Sequence, residues 1–433
     1  MTRSLARSPI AGSLLALLVV VAGLVLAGCG GRTSKAEKAP KLDLAATASD
    51  SLQAANQDVA FRFLKSVDAK HEGNVVVSPL SLSMVLQMLA NGADPGTDRK
   101  LLASLGFSPK IGVPEANAFN ASLIASLRKA QGAEFQIANA IWTASGYVPT
   151  DDLVEVVKRD FDGTSSMLPD DDVEAAYTIN GWVDGHTAHR ITKIISPEEI
   201  QPADGSVRVM FLANALAFTG TWRDRFEESS TGPQKFHAPD KDVTVDMMHR
   251  TTDDQQTDYL AVPGKAGFQA VRLPYGKNGT WVAYVLVPNN VHGLDDVIAT
   301  LTPNAWNNWA SRFQPNTVML SMPKLDLRYQ RDLLGDFDLL GVPRRTYNSL
   351  VTKSVNPVIL DFARQQAMLQ VDEAGTKAAA ATVVGASEGA AMMVVSVDVT
   401  ADHPYLFVLA EQETGAIAMT AAIRNPLERE VGL

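Results

Sequence analysis

The chain has 433 residues, of which 46% are hydrophobic and 20% charged, enough to bury a large core in one big domain or two smaller ones. It carries 38 Lys and Arg against 48 Asp and Glu, a formal net charge of -10, and no basic run long enough to suit a nucleic-acid partner. Its single cysteine excludes an internal disulfide, a cysteine-based zinc site and a dithiol redox pair.

The N-terminus is typical of a bacterial export leader. Arg3 and Arg7 precede an apolar run over residues 11–26, which ends in Leu-Ala-Gly-Cys29. This ending resembles the lipobox of bacterial lipoproteins, where the leader is cleaved and the new N-terminal cysteine is acylated. We therefore expect a lipoprotein signal peptide over residues 1–28 and an exported protein, anchored by a lipid on Cys29 to the outer face of the cell membrane or in the cell envelope. The alternative is a plain signal peptide or an anchor helix that happens to contain a cysteine.

The next segments predict a tether followed by helices. Residues 29–50 are rich in Gly, Ala, Lys, Ser and Thr, which predicts a flexible tether. Apolar residues at helical spacing predict a helix over residues 52–67, and Ser78 before a proline predicts the start of a second one. Alternating side chains predict a strand over residues 135–141, and the mixed segment 173–194 is expected to be helical.

The second half of the chain consists largely of apolar runs bounded by turn residues, which predict strands. These runs cover residues 207–218, 281–287, 317–322, 392–399, 405–410 and 416–419. Helices dominate the first half and strands the second, without the strict alternation of a doubly wound sheet. We therefore predict an α+β fold that forms one domain over residues 51–433, with no internal repeat.

One segment differs in composition from the rest of the chain. Residues 371–382 have the sequence Val-Asp-Glu-Ala-Gly-Thr-Lys-Ala-Ala-Ala-Ala-Thr, and small residues continue to residue 391. Such a segment can be an exposed loop in one state and a buried strand in another, because small side chains lose little entropy on burial. Gly375 would supply a flexible hinge. Propensity alone favours a different structure, an alanine-rich surface helix.

Asp372-Glu373-Ala374-Gly375-Thr376, followed by four alanines and a threonine, resembles the reactive-loop hinge of the serpins, a family of serine-protease inhibitors. Further segments match the family in the same order: residues 74–81, 179–191, 214–226, 273–275, 322–324, 340–341, 403–407 and 425–426. The resemblance spans residues 52–428. It implies helices mainly in the N-terminal half, packed on large mixed β-sheets, and an exposed reactive-centre loop over about residues 373–394.

The resemblance also implies a function, that of a suicide substrate for serine proteases. The protease serine cleaves near the end of the loop, and the freed loop then inserts into the main sheet while the acyl-enzyme is still intact, which gives a covalent complex. The hinge residues are small, as in family members that inhibit: Glu373, Gly375, Thr376, Ala378, Ala379, Ala380, Ala381 and Thr382. Lys377 departs from the family pattern, but it points outward if Thr376 points inward. We expect a monomer that is not an enzyme and that uses no metal or cofactor.

By the same resemblance, five side chains would line the region where the sheet opens: Glu373 and Trp222 at its top, and Ser78, Ser81 and Asn180 further down. The family usually has a histidine eight residues before the hinge glutamate, whereas this chain has Gln365. Because an amide can still hydrogen-bond to Asn and Ser, we expect the gating to persist with an altered pH dependence.

Two ways of counting along the loop place the reactive bond at different positions. Counting forward from the hinge glutamate gives a glycine-alanine bond, and counting back from the proline after the loop gives a methionine-valine bond. The candidates are Gly389, Ala390, Met392, Met393 and Val394. Methionine suits the specificity pockets of chymotrypsin-, elastase- and subtilisin-like proteases, whereas glycine is a poor specificity residue for most serine proteases. Trypsin-like targets are disfavoured, because no Lys or Arg follows Lys377 in the loop.

Three features of the sequence allow functions other than inhibition. A serpin fold that no longer inhibits could serve as a binding module. Ser126-Leu-Arg-Lys129 fits the Ser-x-x-Lys motif of penicillin-binding proteins and β-lactamases, but the companion Lys-Thr-Gly and Ser-Asp-Asn motifs are absent from the sequence. His186 and His189 would share a helical face, yet no third metal ligand accompanies them. The sequence does not identify the target protease.

Overall fold

A computed structural model describes residues 51–201, 208–251, 256–344, 347–353, 356–376 and 396–431. The helices in these ranges are α1 (Leu52–Asp68), α2 (Pro79–Ala90), α3 (Thr97–Ser104), α4 (Val113–Lys129), α5 (Asp151–Phe161), α6 (Asp172–His186), α7 (Pro197–Ile200), α8 (Leu294–Thr300), α9 (Pro303–Ala310) and α10 (Leu334–Leu340). Within the same ranges, no helix is long and apolar enough to cross a bilayer.

The strands lie mostly in the second half of the chain, as predicted. They are β1 (Val75–Val77), β2 (Ala133–Thr143), β3 (Thr164–Met167), β4 (Met210–Thr221), β5 (Gly232–His237), β6 (Asp242–Thr251), β7 (Thr257–Val262), β8 (Phe268–Pro274), β9 (Trp281–Pro288), β10 (Gln314–Asn316), β11 (Val318–Pro323), β12 (Leu325–Asp332), β13 (Phe362–Val371), β14 (Gly375–Thr376), β15 (Val397–Thr400), β16 (Tyr405–Glu411), β17 (Ile417–Ile423) and β18 (Glu430–Val431).

Three sheets organise these strands. The main sheet has the order β18-β12-β13-β4-β2-β3, and β14 adds to it by pairing with β4. A second sheet has the order β1-β17-β16-β9-β8-β7-β10, and a small sheet has the order β15-β11-β6-β5. In the main sheet β4 pairs antiparallel with β2 and parallel with β13.

The central strands β4 and β13 of the main sheet are buried on both faces over most of their length. Side chains alternate along β4, so that Leu212 and Leu216 enter the large core that also contains α2, whereas Phe211 and Ala213 enter a smaller core with Ile179 of α6. Every residue of α2 is buried, because this helix lies between the main sheet and the second sheet. The two faces of the main sheet are therefore a core face toward α2 and an α6 face.

Serine side chains cap the starts of α1 and α2, and the cap of α2 was predicted. The Ser51 side chain accepts a hydrogen bond from the backbone N–H of Ala54 at the start of α1. Ser78 does the same for Ser81 at the start of α2, where Pro79 occupies the first turn. The predicted α+β fold and these two helices are confirmed.

The predicted boundaries differ from the structure in several places, among them α6, β4 and β15. Helix α6 ends at His186 rather than near residue 194, because the chain turns sharply there, with positive φ angles at Ala188 and His189. Strand β4 runs on to Thr221, since its last residues pair with β2 and β14. The strand predicted over residues 392–399 begins at Val397 as β15, and residues 392–395 lie outside the described ranges.

Candidate functional site

We call the boundary between β4 and β13 in the main sheet the seam. At its upper end the two strands no longer pair with each other. The two strands pair from Phe362↔Phe211 to Met368↔Ala217. Above that row β13 continues to Val371, and β14 takes its place beside β4. The two residues of β14 pair antiparallel with β4, as Gly375↔Thr221 and Thr376↔Gly220. The chain after β13 has therefore already added the first residues of a new strand at the top of the seam.

A tight turn connects β13 to β14. The Asp372 N–H donates to the Gly375 carbonyl at 2.7 Å, and the Asp372 carboxylate accepts from the N–H groups of Ala374 and Gly375 at 2.9 and 3.1 Å. Gly375 has φ 145°, and a Cβ atom there would collide with the Gly220 carbonyl. The glycine predicted as a flexible hinge is thus required by both backbone conformation and close approach.

Thr376 points into the core. Its side chain is fully buried, and its hydroxyl lies 2.9 Å from that of Tyr275. The Tyr275 ring stacks on Trp222, with centroids 4.2 Å apart, and burial raises the pKa of Tyr275 above its usual range. Trp222 donates from Nε1 to the Asp372 carbonyl at 3.0 Å, so it contacts the hinge as predicted. In the sequence, Tyr275 belongs to the matching segment 273–275, but no local pattern there indicates a contact with the hinge.

Glu373 is held by two side chains that the sequence had not singled out for this position. Its Oε1 accepts from Lys324 Nζ at 2.7 Å and from Thr231 Oγ1 at 2.7 Å, and its backbone carbonyl accepts from the Phe226 N–H at 3.0 Å. Burial alone would raise the pKa of Glu373, but the bonds from Lys324 and Thr231 hold it below the usual value. The hinge glutamate therefore stays ionised and ties the turn to the neighbouring strands.

A second cluster lies lower on the core face of the seam, around Gln365. Gln365 Oε1 accepts from the Ser78 N–H at 3.0 Å, and its Nε2 donates to the Ser78 carbonyl at 2.9 Å and to Asn214 Oδ1 at 3.0 Å. Asn214 in turn donates to Asn139 Oδ1 of β2 at 2.7 Å. Ser81 belongs to this cluster through its N–H, which donates to Ser78 Oγ. All these partners of Gln365 are neutral groups.

Asn180 is not part of this cluster, and the prediction that it lines the seam with Ser78 and Ser81 is wrong. It lies on α6, where its Oδ1 accepts from the N–H groups of Ile194 and Ile195, and its Nδ2 donates to the Ile195 carbonyl. Asn214 occupies the position expected for it. The sequence contains Asn214 as the first residue of the matching segment 214–226, but the face of the sheet that its side chain occupies follows only from the strand register.

The structure does not bring Lys129, His186 or His189 into a catalytic or metal-binding arrangement. Lys129 is exposed on the surface of α4. His186 stacks on Trp182, while His189 lies beyond the end of α6 and contacts Asp184, so the two histidines do not share a helical face. Over the described parts of the chain, no group of three or more His, Cys, Asp or Glu could hold a metal ion.

Several predicted sites fall outside the described ranges. They are the lipid site Cys29, the hinge residues Ala378, Ala379, Ala380, Ala381 and Thr382, and the reactive-bond candidates Gly389, Ala390, Met392, Met393 and Val394. These assignments stay predictions.

Comparison with known proteins agrees with this architecture. The family model for "Serpin (serine protease inhibitor)" matches residues 54–426. A serine protease inhibitor of Cyanea capillata is 28% identical over 402 residues, which cover 87% of this chain and 99% of the relative. An uncharacterised serpin-like protein of Thermococcus kodakarensis is 28% identical over 366 residues, 83% of this chain and 82% of the relative.

Solved structures match the same fold. A thermophilic serpin, tengpin, in its native state superposes with a TM-score of 0.77 at 22% identity, covering 88% of this chain and 97% of that one. Human thyroxine-binding globulin superposes with a TM-score of 0.77 at 23% identity, covering 87% and 98%. The fold and the sheet seam thus define a protein with the serpin architecture. The chain belongs to the serpin family, whose members are generally serine protease inhibitors.

Proposed function

We propose that this chain is a suicide-substrate inhibitor of serine proteases that traps the acyl-enzyme by inserting its cleaved loop into the seam. The observation that carries the proposal is β14. Two residues of the hinge already pair with β4 in the antiparallel sense that an inserted strand requires, and Thr376 already occupies a core position.

The register of β14 supports continued insertion. If the loop extends in the same register, Ala378, Ala380 and Thr382 face the core like Thr376, and Lys377 faces the α6 side. Thr382 then lies in the row of Asn214 and Gln365. Each core-facing residue in this stretch is small, which avoids the cost of burying a charge in the sheet. In this register Lys377, which departs from the family pattern, faces away from the core side.

The chemistry at the reactive bond belongs to the protease. Its serine oxygen attacks the carbonyl carbon of the cleaved residue, the peptide nitrogen leaves as the new amino terminus of the C-terminal fragment, and an ester joins inhibitor and protease. The inhibitor supplies no catalytic group. Insertion of some fifteen residues at about 3.3 Å each would carry the ester roughly 50 Å along the sheet, about a protein diameter.

The target class follows from the loop composition. Met392 or Met393 as the cleaved residue would suit chymotrypsin-, elastase- or subtilisin-like proteases, with Gly389-Ala390 as the alternative bond. The partner is then a secreted or surface protease, met by a monomer that a lipid on Cys29 holds at the cell envelope.

The test is to mix residues 30–433 with chymotrypsin, an elastase, subtilisin and trypsin, and to separate the products on a denaturing gel. We expect a boiling-resistant complex with at least one of the first three, and the mass of the released C-terminal peptide would identify the reactive bond. Loop cleavage without a complex and without a gain in thermal stability would contradict inhibition and favour a binding module with a serpin fold. Lipidation of Cys29 is tested separately on the full-length chain, by mass spectrometry of the N-terminal peptide from membranes.

A further inference from the structure

An ion pair between a buried arginine and a half-buried glutamate crosses the lower part of the seam on the α6 face. Arg364 of β13 lies in the row of Ala213 of β4. Its Nη2 donates to Glu199 Oε1 at 2.6 Å, its Nη1 donates to the Ile194 carbonyl at 2.9 Å, and only 9% of its side chain is exposed. Both acceptors belong to the segment that connects α6 to β4. We call this segment, residues 187–200, the strap.

The strap is fixed to the α6 side of the seam. Asn180 of α6 makes three hydrogen bonds to the backbone of Ile194 and Ile195. Glu199 accepts from the Ser196 N–H at 2.9 Å, which holds its carboxylate in place. Arg208, two residues before the start of β4, donates to the Glu199 carbonyl, so the strap is tied to the β4 side, whereas Arg364 belongs to the β13 side.

Two arginines reinforce the contact. The guanidinium groups of Arg208 and Arg364 lie 5.3 and 4.9 Å from the centroid of the Phe362 ring, within the range of cation–π attraction. Arg208 also donates to the Glu199 carbonyl. The bottom of the seam is therefore closed by charged groups, whereas the Gln365 cluster above it is neutral.

Insertion at this row conflicts with these bonds. A strand placed between β4 and β13 moves them apart by one further strand spacing, about 4.8 Å. A hydrogen bond of 2.6 Å cannot span that increase, so Arg364 must release Glu199 or the strap must leave α6. In the register of β14, the inserted residue that meets this row is Val383, one position after Thr382.

We propose that the Arg364–Glu199 pair is a clasp that sets the rate at which an inserting strand passes the Ala213 row. This rests on the proposed function. Insertion down to Thr382 leaves the clasp closed, and the later rows require it to open. The clasp thus acts in the race between complete insertion and hydrolysis of the acyl-enzyme, and Arg364 and Glu199 are positioning residues.

Synthetic peptides test the clasp without any protease. A short peptide copying residues 376–382 ends above the clasp, and a long peptide copying residues 376–387 passes it. Each peptide is added in molar excess to the protein, and its incorporation is followed on native gels and by thermal unfolding. The variants are Glu199→Gln, which removes the charge at nearly constant shape, and Arg364→Met, which keeps an unbranched side chain on Phe362.

Glu198→Gln is the matched control, because Glu198 is an exposed neighbour with the same charge and without a bond to Arg364. We expect the long peptide to enter both clasp variants about tenfold faster than the wild type, the effect of lowering a barrier by roughly one charge-assisted hydrogen bond. The short peptide should enter all four proteins at the same rate.

Equal acceleration of both peptides would overturn the clasp, because the substitutions would then loosen the whole sheet. Unchanged entry of the long peptide into both variants would overturn it as well. If neither peptide enters even the wild type, the sheet does not accept a strand, and the proposed inhibitory function fails together with the clasp. Thermal unfolding of the variants without peptide confirms that each one folds.

Discussion

Thr376 shows how one buried side chain limits the loop sequence. Its hydroxyl faces Tyr275 in a fully buried position, so a charge there would have to be buried without a partner. We predict that Thr376→Arg is still cleaved by a protease that wild type traps, but no longer forms a covalent complex. The measurement is the ratio of complex to cleaved chain on a denaturing gel. Lys377→Glu, on the outward side, is the control and should keep trapping; a Thr376→Arg chain that traps normally would refute the inward assignment.

Asp361 makes a stability prediction that depends on pH. Burial raises the pKa of this carboxyl to about 6, and its Oδ1 has no hydrogen-bond partner. The folded state therefore holds a proton that the unfolded state releases near its ordinary value of 3.8, so stability falls as the pH rises between these two values and stays lower above them. Asp361→Asn should raise stability at pH 8 by up to about 3 kcal/mol and leave it nearly unchanged at pH 4.

Thermal unfolding at both pH values checks this expectation. The exposed Asp240→Asn changes the net charge equally and should shift the melting temperature little at either pH. Equal stabilisation of the Asp361 variant at pH 4 and pH 8 would mean that packing, and not ionisation, causes the effect.

For the variant Gln365→His we predict a pH response opposite to that of Asp361, with stability lost as the pH falls. A neutral imidazole offers one acceptor for the Ser78 N–H and one donor for Asn214, but the imidazolium has no acceptor and carries a charge into a buried site. The pKa of a histidine here would be lower in the folded than in the unfolded state, so stability should be lost as the pH falls through about 6.5. We expect Gln365→His to melt earlier than the wild type at pH 5.5 and similarly at pH 8. A constant difference at the two pH values would contradict this.

At the scale of elements, β14 depends on one glycine. Gly375 has a positive φ and no space for a Cβ atom against Gly220. Gly375→Ala should therefore displace β14, lower stability by about 1–3 kcal/mol and slow complex formation. Gly181→Ala on α6 is the control: nothing lies within 4 Å of its Cβ position, and alanine is the better helix former. If Gly375→Ala unfolds at the wild-type temperature, the turn is not needed for the folded state.

Sequence patterns were sufficient for elements with strong local signals. Ser78 before Pro79 marked the start of α2, and the apolar runs marked most strands, because capping and burial act within a few residues. They were insufficient for Asn180, since two asparagines in family motifs can be told apart only by which face of which element they occupy. The same limit applies to Lys324 and Thr231, which reach Glu373 from distant parts of the chain.

At the scale of the whole molecule, the proposed function requires a folded state that is less stable than its cleaved, inserted form. Cleavage of the loop by a metalloprotease, which forms no acyl-enzyme, isolates insertion from trapping. We predict that cleaved wild type melts roughly 10 °C or more above the intact chain, because a new central strand adds backbone pairing over the length of the sheet. Cleaved Thr376→Arg should show no such rise. A cleaved wild type that melts at the intact temperature would exclude insertion.

The turn between β13 and β14 also has a consequence for the kinetics of the proposed trapping mechanism. Forming the first contact of a new strand normally requires closing a loop, and the chain entropy lost in that step makes nucleation slow relative to the addition of later residues. Here the hydrogen bonds of Asp372 have closed that loop before any protease arrives. In the proposed mechanism, cleavage therefore starts strand growth at the propagation stage, and deacylation competes with row-by-row extension and with the opening of the clasp.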